Sequence, residues 1–194
     1  GFHRLGIIYR FARTDLKISG MKSFLRVAIA LLPIGIFAQK IPAISKTEFS
    51  KEAVAQKISS LEGKKIAVSE IIKKHKGRVL IIDFWASWCA DCIKALPSTK
   101  ILKEQNPELD FVYFSLDRSH EQWKRGLEKY KLTDQENYWF DEGWKNNFNN
   151  YIDLNWVPRF LIVDQSGKIA KYYAVSPNDP TIQKTIDELK MKKF

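Results

Sequence analysis

The chain has 194 residues, 45% hydrophobic and 13% aromatic, with only 7 prolines and 9 glycines and no repeat or biased tract. That composition excludes a disordered or solenoid protein and suits one packed domain that folds without metal or disulfide staples. The formal charge is +10, but residues 1–38 hold six Lys/Arg against Asp15 alone, so half of it belongs to that stretch and a nucleic-acid partner is not expected.

Residues 1–20 precede Met21 and read as an upstream extension rather than native structure. From Met21 the chain runs "MKSFLRVAIALLPIGIFAQK", with Lys22 and Arg26 ahead of an apolar run from Val27 to Phe37 that ends at the small residue Ala38. A membrane span needs about 20 apolar residues, and the order of charge, apolar run and small residue is that of a secretory signal. The expectation is a signal peptide over 21–38, cleavage after Ala38, and a periplasmic or secreted protein. A packed amphipathic helix and an uncleaved membrane anchor are the alternatives.

Residues 39–60 read as an irregular N-terminal segment with a short helix around "TEFSKEAVAQKI", and 61–194 as the folded domain. "EGKKIAV" (62–68) is a turn into a strand, and "SEIIKKHKG" (69–77) a helix capped by Ser69 and ended by Gly77. "RVLIIDFWA" is a near-continuous apolar run, the pattern of a strand buried on both faces. "IKALPSTKILKEQ" has helical spacing, with Pro97 expected to kink it. Then come a second buried strand, "DFVYFSL" (110–116), a helix over 119–130 capped by Ser119, a short strand in "NYWFD", and a helix from Glu142 to Tyr151. Residues 159–175 form a hairpin around "DQSG", and "PTIQKTIDELKMKK" closes the chain as a helix with proline near its first position. Alternating strands and helices followed by a hairpin predict an α/β domain with a central mixed β-sheet flanked by helices on both faces. Trp139, Trp144 and Trp156 read first as core and second as a partner surface.

The chemistry concentrates in "DFWASWCADC", which holds the only two cysteines, Cys89 and Cys92. A zinc site would need more ligands than these and the dispersed His3, His75 and His120, and Ile93 after Cys92 rules out the haem-attachment signature. A bridge closing so short a loop removes little chain entropy, so a structural disulfide is unconvincing. Redox chemistry remains. Where a buried strand gives way to a helix, Cys89 sits at the positive end of the helix dipole, which favours its thiolate and makes it the expected nucleophile. Cys92, one helical turn on, is the expected resolving thiol. Asp83 stands inside the apolar strand, where a charge is costly without a task. It is either a strand-end acid paired with a lysine or a buried carboxyl of raised pKa that accepts the Cys92 proton.

Together, "DFWASWCADC", Pro97 five residues after Cys92, and "WVPRFLIVDQSGKI" resemble the thioredoxin superfamily, in particular its TlpA/ResA-like secreted redoxins, over about residues 60–192. The resemblance implies a single-domain thioredoxin fold with Cys89 and Cys92 as the redox pair. It places Asp83 on the family's buried acid, Trp88 on its tryptophan and Pro158 on its cis-proline, with Val157 and Pro158 facing the disulfide where substrate binds. Two departures stand out: Ala90-Asp91 between the cysteines, where a Gly-Pro pair is usual, and Arg159 where a threonine is common. An added carboxylate disfavours the Cys89 thiolate and makes the couple more reducing; Arg159 would offset Asp91 or select acidic substrates. The expected function is reduction of disulfides in exported proteins by a monomer without a cofactor, fed by a membrane-embedded thiol reductant. The alternatives are a disulfide oxidase or isomerase on the same fold, and a copper-binding chaperone with His120 as third ligand.

Overall fold

The computed structural model describes residues 41–192; the extension and the signal-like segment expected over 1–38 lie outside the described residues. The elements follow one another as α1 (Lys51–Val54), β1 (Lys57–Ser59), β2 (Lys65–Ala67), α2 (Val68–Lys74), β3 (Leu80–Trp85), α3 (Ala90–Gln105), β4 (Asp110–Ser115), α4 (His120–Lys129), β5 (Glu136–Trp139), α5 (Asn147–Tyr151), β6 (Arg159–Val163), β7 (Ile169–Ala174) and α6 (Pro180–Met191). The seven strands form one mixed sheet in the order β2-β1-β5-β4-β3-β6-β7. Parallel pairing joins β3 to β4 and β4 to β5, while β6 runs antiparallel to β3 and forms the hairpin with β7.

Strand β3 lies at the centre because every one of its residues is buried, as its unbroken apolar run requires. Side chains alternate between faces along a strand. On one face Ile82, Phe84, Phe114 and Leu161 pack with Ile71 of α2 and Phe148 of α5. On the other, Ile81, Phe111 and Phe160 pack with Leu102 of α3 and Ile182 and Ile186 of α6. Helices therefore cover both faces, and Asp83 falls on the face that α3 and α6 cover.

Several boundaries differ from the sequence reading, each for a local reason. Strand β1 belongs to the sheet although it lies in the segment set apart as 39–60; its three residues are too few to show a period, yet Ile58 is fully buried opposite Ile66. Helix α2 starts one residue before Ser69, because the Glu70 carboxylate accepts the Ala67 N–H at 3.2 Å and caps the helix instead. Helix α3 begins at Ala90 rather than Ile93, with Cys89 as its N-cap, and continues through Pro97. The helix expected from Glu142 shrinks to α5, because Gly143 turns the chain at φ +66° and Asn146 caps the helix. Elsewhere Ser119 caps α4, accepting from Gln122 N–H at 3.2 Å, and Asp164 and Gly167 (φ +93°) make the hairpin turn.

At the pole away from β3's C-terminal end, buried His75 links α2 to the first residues of β4 and β5. Its Nδ1 lies 2.7 Å from Asp110 and its Nε2 3.3 Å from Glu136. Hydrogen bonding to Glu136 outweighs burial and raises the imidazole pKa, so the cluster binds these elements most tightly when His75 is charged.

Candidate active site

The C-terminal end of β3 delivers the chain into the loop Ala86–Trp88 and then into α3. Cys89 and Cys92 are joined in a disulfide with their Cα atoms 5.2 Å apart. As N-cap of α3, Cys89 receives the Cys92 N–H on its Sγ at 3.1 Å. The helix start thus directs a donor and the positive end of its dipole at that sulfur, stabilising negative charge there when the bond is open. Cys92, inside the first turn, is more deeply buried: 2% exposed against 6% for Cys89.

The loop before Cys89 is held by a residue the sequence reading did not single out. Asp117, 1% exposed at the end of β4, accepts from Ser87 N–H at 3.1 Å and from the Ser87 hydroxyl at 2.6 Å. It is itself steadied by the Ser115 hydroxyl at 2.8 Å. The signal available was an acid directly after the apolar run 111–116, beside β3 in a parallel pair. Gly126 of α4 is the second omission: a Cβ built there would stand 2.4 Å from Ser87 Cβ. Gly126→Ala is therefore expected to lower stability by about 1–3 kcal/mol despite alanine's better helix propensity. Because Ser87 is tied to Asp117, the displacement falls on the loop that carries Cys89. The checks are the urea unfolding midpoint and the rate of Cys89 alkylation in the reduced protein; an unchanged midpoint would refute the contact.

Asp83 is 3% exposed and stands in register between Tyr113 of β4 and Phe160 of β6. Its Oδ1 has no hydrogen-bond partner. Burial drives its pKa up to about 8, and the charge of Lys103 only partly counters this. Lys103, on α3, extends over the same face, its Nζ 5.3 Å from the Phe111 ring centre and 5.5 Å from that of Tyr113. Burial lowers the ammonium pKa, and its hydrogen bond goes to Gln135. A lysine thus acts on Asp83 electrostatically without pairing with it, and the carboxyl keeps an unpartnered oxygen.

On the other side of the disulfide, Val157 and Pro158 are joined by a cis peptide bond, and the Val157 carbonyl oxygen lies 3.5 Å from Cys89 Sγ. Trp88 is 41% exposed beside Cys89, with the Arg118 guanidinium 6.0 Å over its ring. Asp91 lies in the first turn of α3, but its side chain is 61% exposed and 3.7 Å from Lys94, so solvent and that cation screen its effect on the sulfur.

Arg159 departs from the expected role. It is 1% exposed, donates to the carbonyls of Tyr172 and Ile152, and stacks its guanidinium 4.3 Å from the Tyr173 ring centre. Burial pulls its pKa down to about 10. A cation after the proline reads as a surface contact in a sequence, but β6 alternation turns this one into the fold, where it braces β7 rather than meeting substrate. Trp156 also departs from the core reading: it is 36% exposed. Among the described residues no group of three His, Cys, Asp or Glu side chains is placed to hold a metal, and the His120 ring packs 5.7 Å from both Trp123 and Trp139.

Comparison with known proteins agrees with this geometry. A thioredoxin-like family model matches residues 77–169. The thiol-disulfide oxidoreductase ResA of Bacillus cereus is 26% identical over 139 residues, covering 71% of this chain and 73% of that protein. ResA of Bacillus thuringiensis subsp. konkukian is 30% identical over 132 residues, covering 68% of this chain and 61% of the relative. The solution structure of a candidate thiol-disulfide oxidoreductase from Bacteroides vulgatus superposes with a TM-score of 0.59 at 27% identity, covering 73% of this chain and 90% of that one.

Proposed function

We propose that this chain is a thioredoxin-superfamily redoxin of the thiol-disulfide oxidoreductase kind and that it reduces disulfides of exported proteins through Cys89 and Cys92. The observation that carries the reading is the arrangement of the pair: one sulfur capping a helix at the groove, the other deeper in the first turn of that helix, with a buried, unpartnered acid in the strand that leads into it. The Cys89 thiolate attacks a substrate disulfide; a Cys89–substrate bond forms, the substrate S–S bond breaks, and the released thiolate takes a proton from solvent. Cys92 then gives its proton to Asp83 and attacks Cys89 Sγ, forming the intramolecular disulfide as the Cys89–substrate bond breaks, and the second substrate sulfur leaves as a thiolate that takes a proton from solvent. The substrate gains two electrons and the protein loses two. A dithiol donor must return them, and for an exported protein a membrane-embedded reductant is the fitting class.

Export rests on the signal-like pattern of residues 21–38; among the described residues no helix is long and apolar enough to cross a membrane. Trp88, Val157 and Pro158 form the substrate-facing rim.

The direction of electron flow is tested by equilibrating the chain with glutathione and following Trp88 fluorescence. A potential near or below about −270 mV supports the reductant. A value near about −120 mV would make it an oxidase.

A further inference from the structure

Beside Cys89 opens a groove of about 330 Å³ lined by Trp88, Asp91, Trp144, Trp156 and Val157. Its volume is at the lower end of small-ligand sites, about 300–1,000 Å³, enough for a side chain rather than a domain surface. The two exposed tryptophans among the described residues, Trp88 and Trp156, both line it. Exposed aromatic surface gathered at one place marks a binding site.

The third wall is deliberately held. Trp144 lies in the turn between β5 and α5, next to Gly143 at φ +66°. The Gly143 carbonyl accepts two side-chain amides, Asn146 Nδ2 at 2.9 Å and Asn149 Nδ2 at 3.1 Å, and both asparagines are buried. Two buried amides spent on one turn carbonyl fix the backbone that presents Trp144, so this wall is preformed.

The charged groups beside the groove are already engaged. Asp91 is the one acid among its lining residues and already faces Lys94 at 3.7 Å, while Arg118 lies over the Trp88 ring. An aromatic ring entering the groove would meet three indoles.

We infer that Trp144, with Trp88 and Trp156, makes this groove a specificity pocket for substrates carrying a large aromatic side chain two residues from the cysteine that Cys89 attacks. Residues two apart on an extended chain point to the same side, so such a ring would enter the groove while the cysteine meets Cys89. This inference rests on the oxidoreductase reading above.

The test uses the full chain, reduced, and three synthetic cyclic disulfide peptides that differ only at the position two residues from one cysteine: Phe, Ala or Lys. Each reaction converts one peptide disulfide to a dithiol and one protein dithiol to the disulfide. The Phe peptide is expected to react with a second-order rate constant about tenfold above that of the Ala peptide, with Lys no faster than Ala. In Trp144→Ala that ratio should fall towards one, and in Trp144→Phe most of it should remain. A Phe-to-Ala ratio within about twofold in the native protein, or preference for Lys, overturns the pocket while leaving the oxidoreductase reading intact. A full ratio retained in folded Trp144→Ala overturns the role of Trp144. If neither the peptides nor oxidised glutathione are reduced, the parent reading fails and takes this one with it. The native-protein ratio decides the matter even where the alanine variant does not fold.

Discussion

Cys92→Ser should cease to turn over and instead accumulate a covalent adduct with its substrate. Cys89 lines the groove, caps α3 and has the Cys92 N–H directed at its sulfur, so it can still attack a substrate disulfide. The mixed disulfide that forms has no remaining intramolecular thiol to break it, since the chain holds no third cysteine, and a serine hydroxyl does not displace a thiolate. Multiple-turnover activity should drop by roughly 10³-fold or more, the scale seen when a residue acting as part of a catalytic unit is removed. Intact-mass measurement after mixing the reduced variant with a disulfide peptide should show one bound peptide, removable by dithiothreitol. Cys89→Ser should show none. The opposite pattern, with Cys92 trapping substrate and Cys89 not, would reverse the assigned roles and with them the meaning of the exposure difference between the two sulfurs.

How much of this was legible in the sequence follows from the range of the signals. The central strands announce themselves because β3 and β4 are buried on both faces and so read as unbroken apolar runs. The redox pair is legible because two cysteines three apart at a strand-to-helix junction leave few chemistries. Strand β1 is invisible because three residues carry no period, and its pairing with β2 and β5 is a tertiary choice. Arg159 misleads for a related reason: residue type favours the surface, whereas its place in β6 and the rings of Tyr172 and Tyr173 put it inside. Asp117 and Gly126 matter only through contacts with Ser87 at sequence separations of 30 and more, which no local pattern encodes. The groove lies between these cases. Its tryptophans are conspicuous in the sequence, but only the folded chain brings Trp144, in the turn at Gly143, and Trp156 beside Cys89.

Asp83→Asn should make the protein more stable and less active, and the two effects share one cause. In the folded protein the carboxyl is buried beside Tyr113 and Phe160 with one oxygen unpartnered, and its pKa stands at about 8; in the unfolded chain it falls to about 3.9. The folded state therefore holds a proton that the unfolded state has released, and this site's contribution to stability is intact below about pH 4 and lost progressively as the pH rises through about 8. At pH 7 the loss is on the order of 4 kcal/mol. An asparagine of the same shape does not titrate, so the variant should unfold at a temperature higher by roughly 10 °C, with an advantage that shrinks towards pH 4. Catalysis moves the other way. A base with a pKa near the working pH can take the Cys92 proton when the mixed disulfide must be resolved and give it back when the pair is reduced again; removing such a base costs about 10²-fold or more. The resolution rate, read in single turnover, should rise with pH towards a plateau above about 8 in the native protein and lose that inflection in the variant. A variant that is destabilised, or that keeps the inflection, would place the titrating group elsewhere and return Asp83 to a purely structural role.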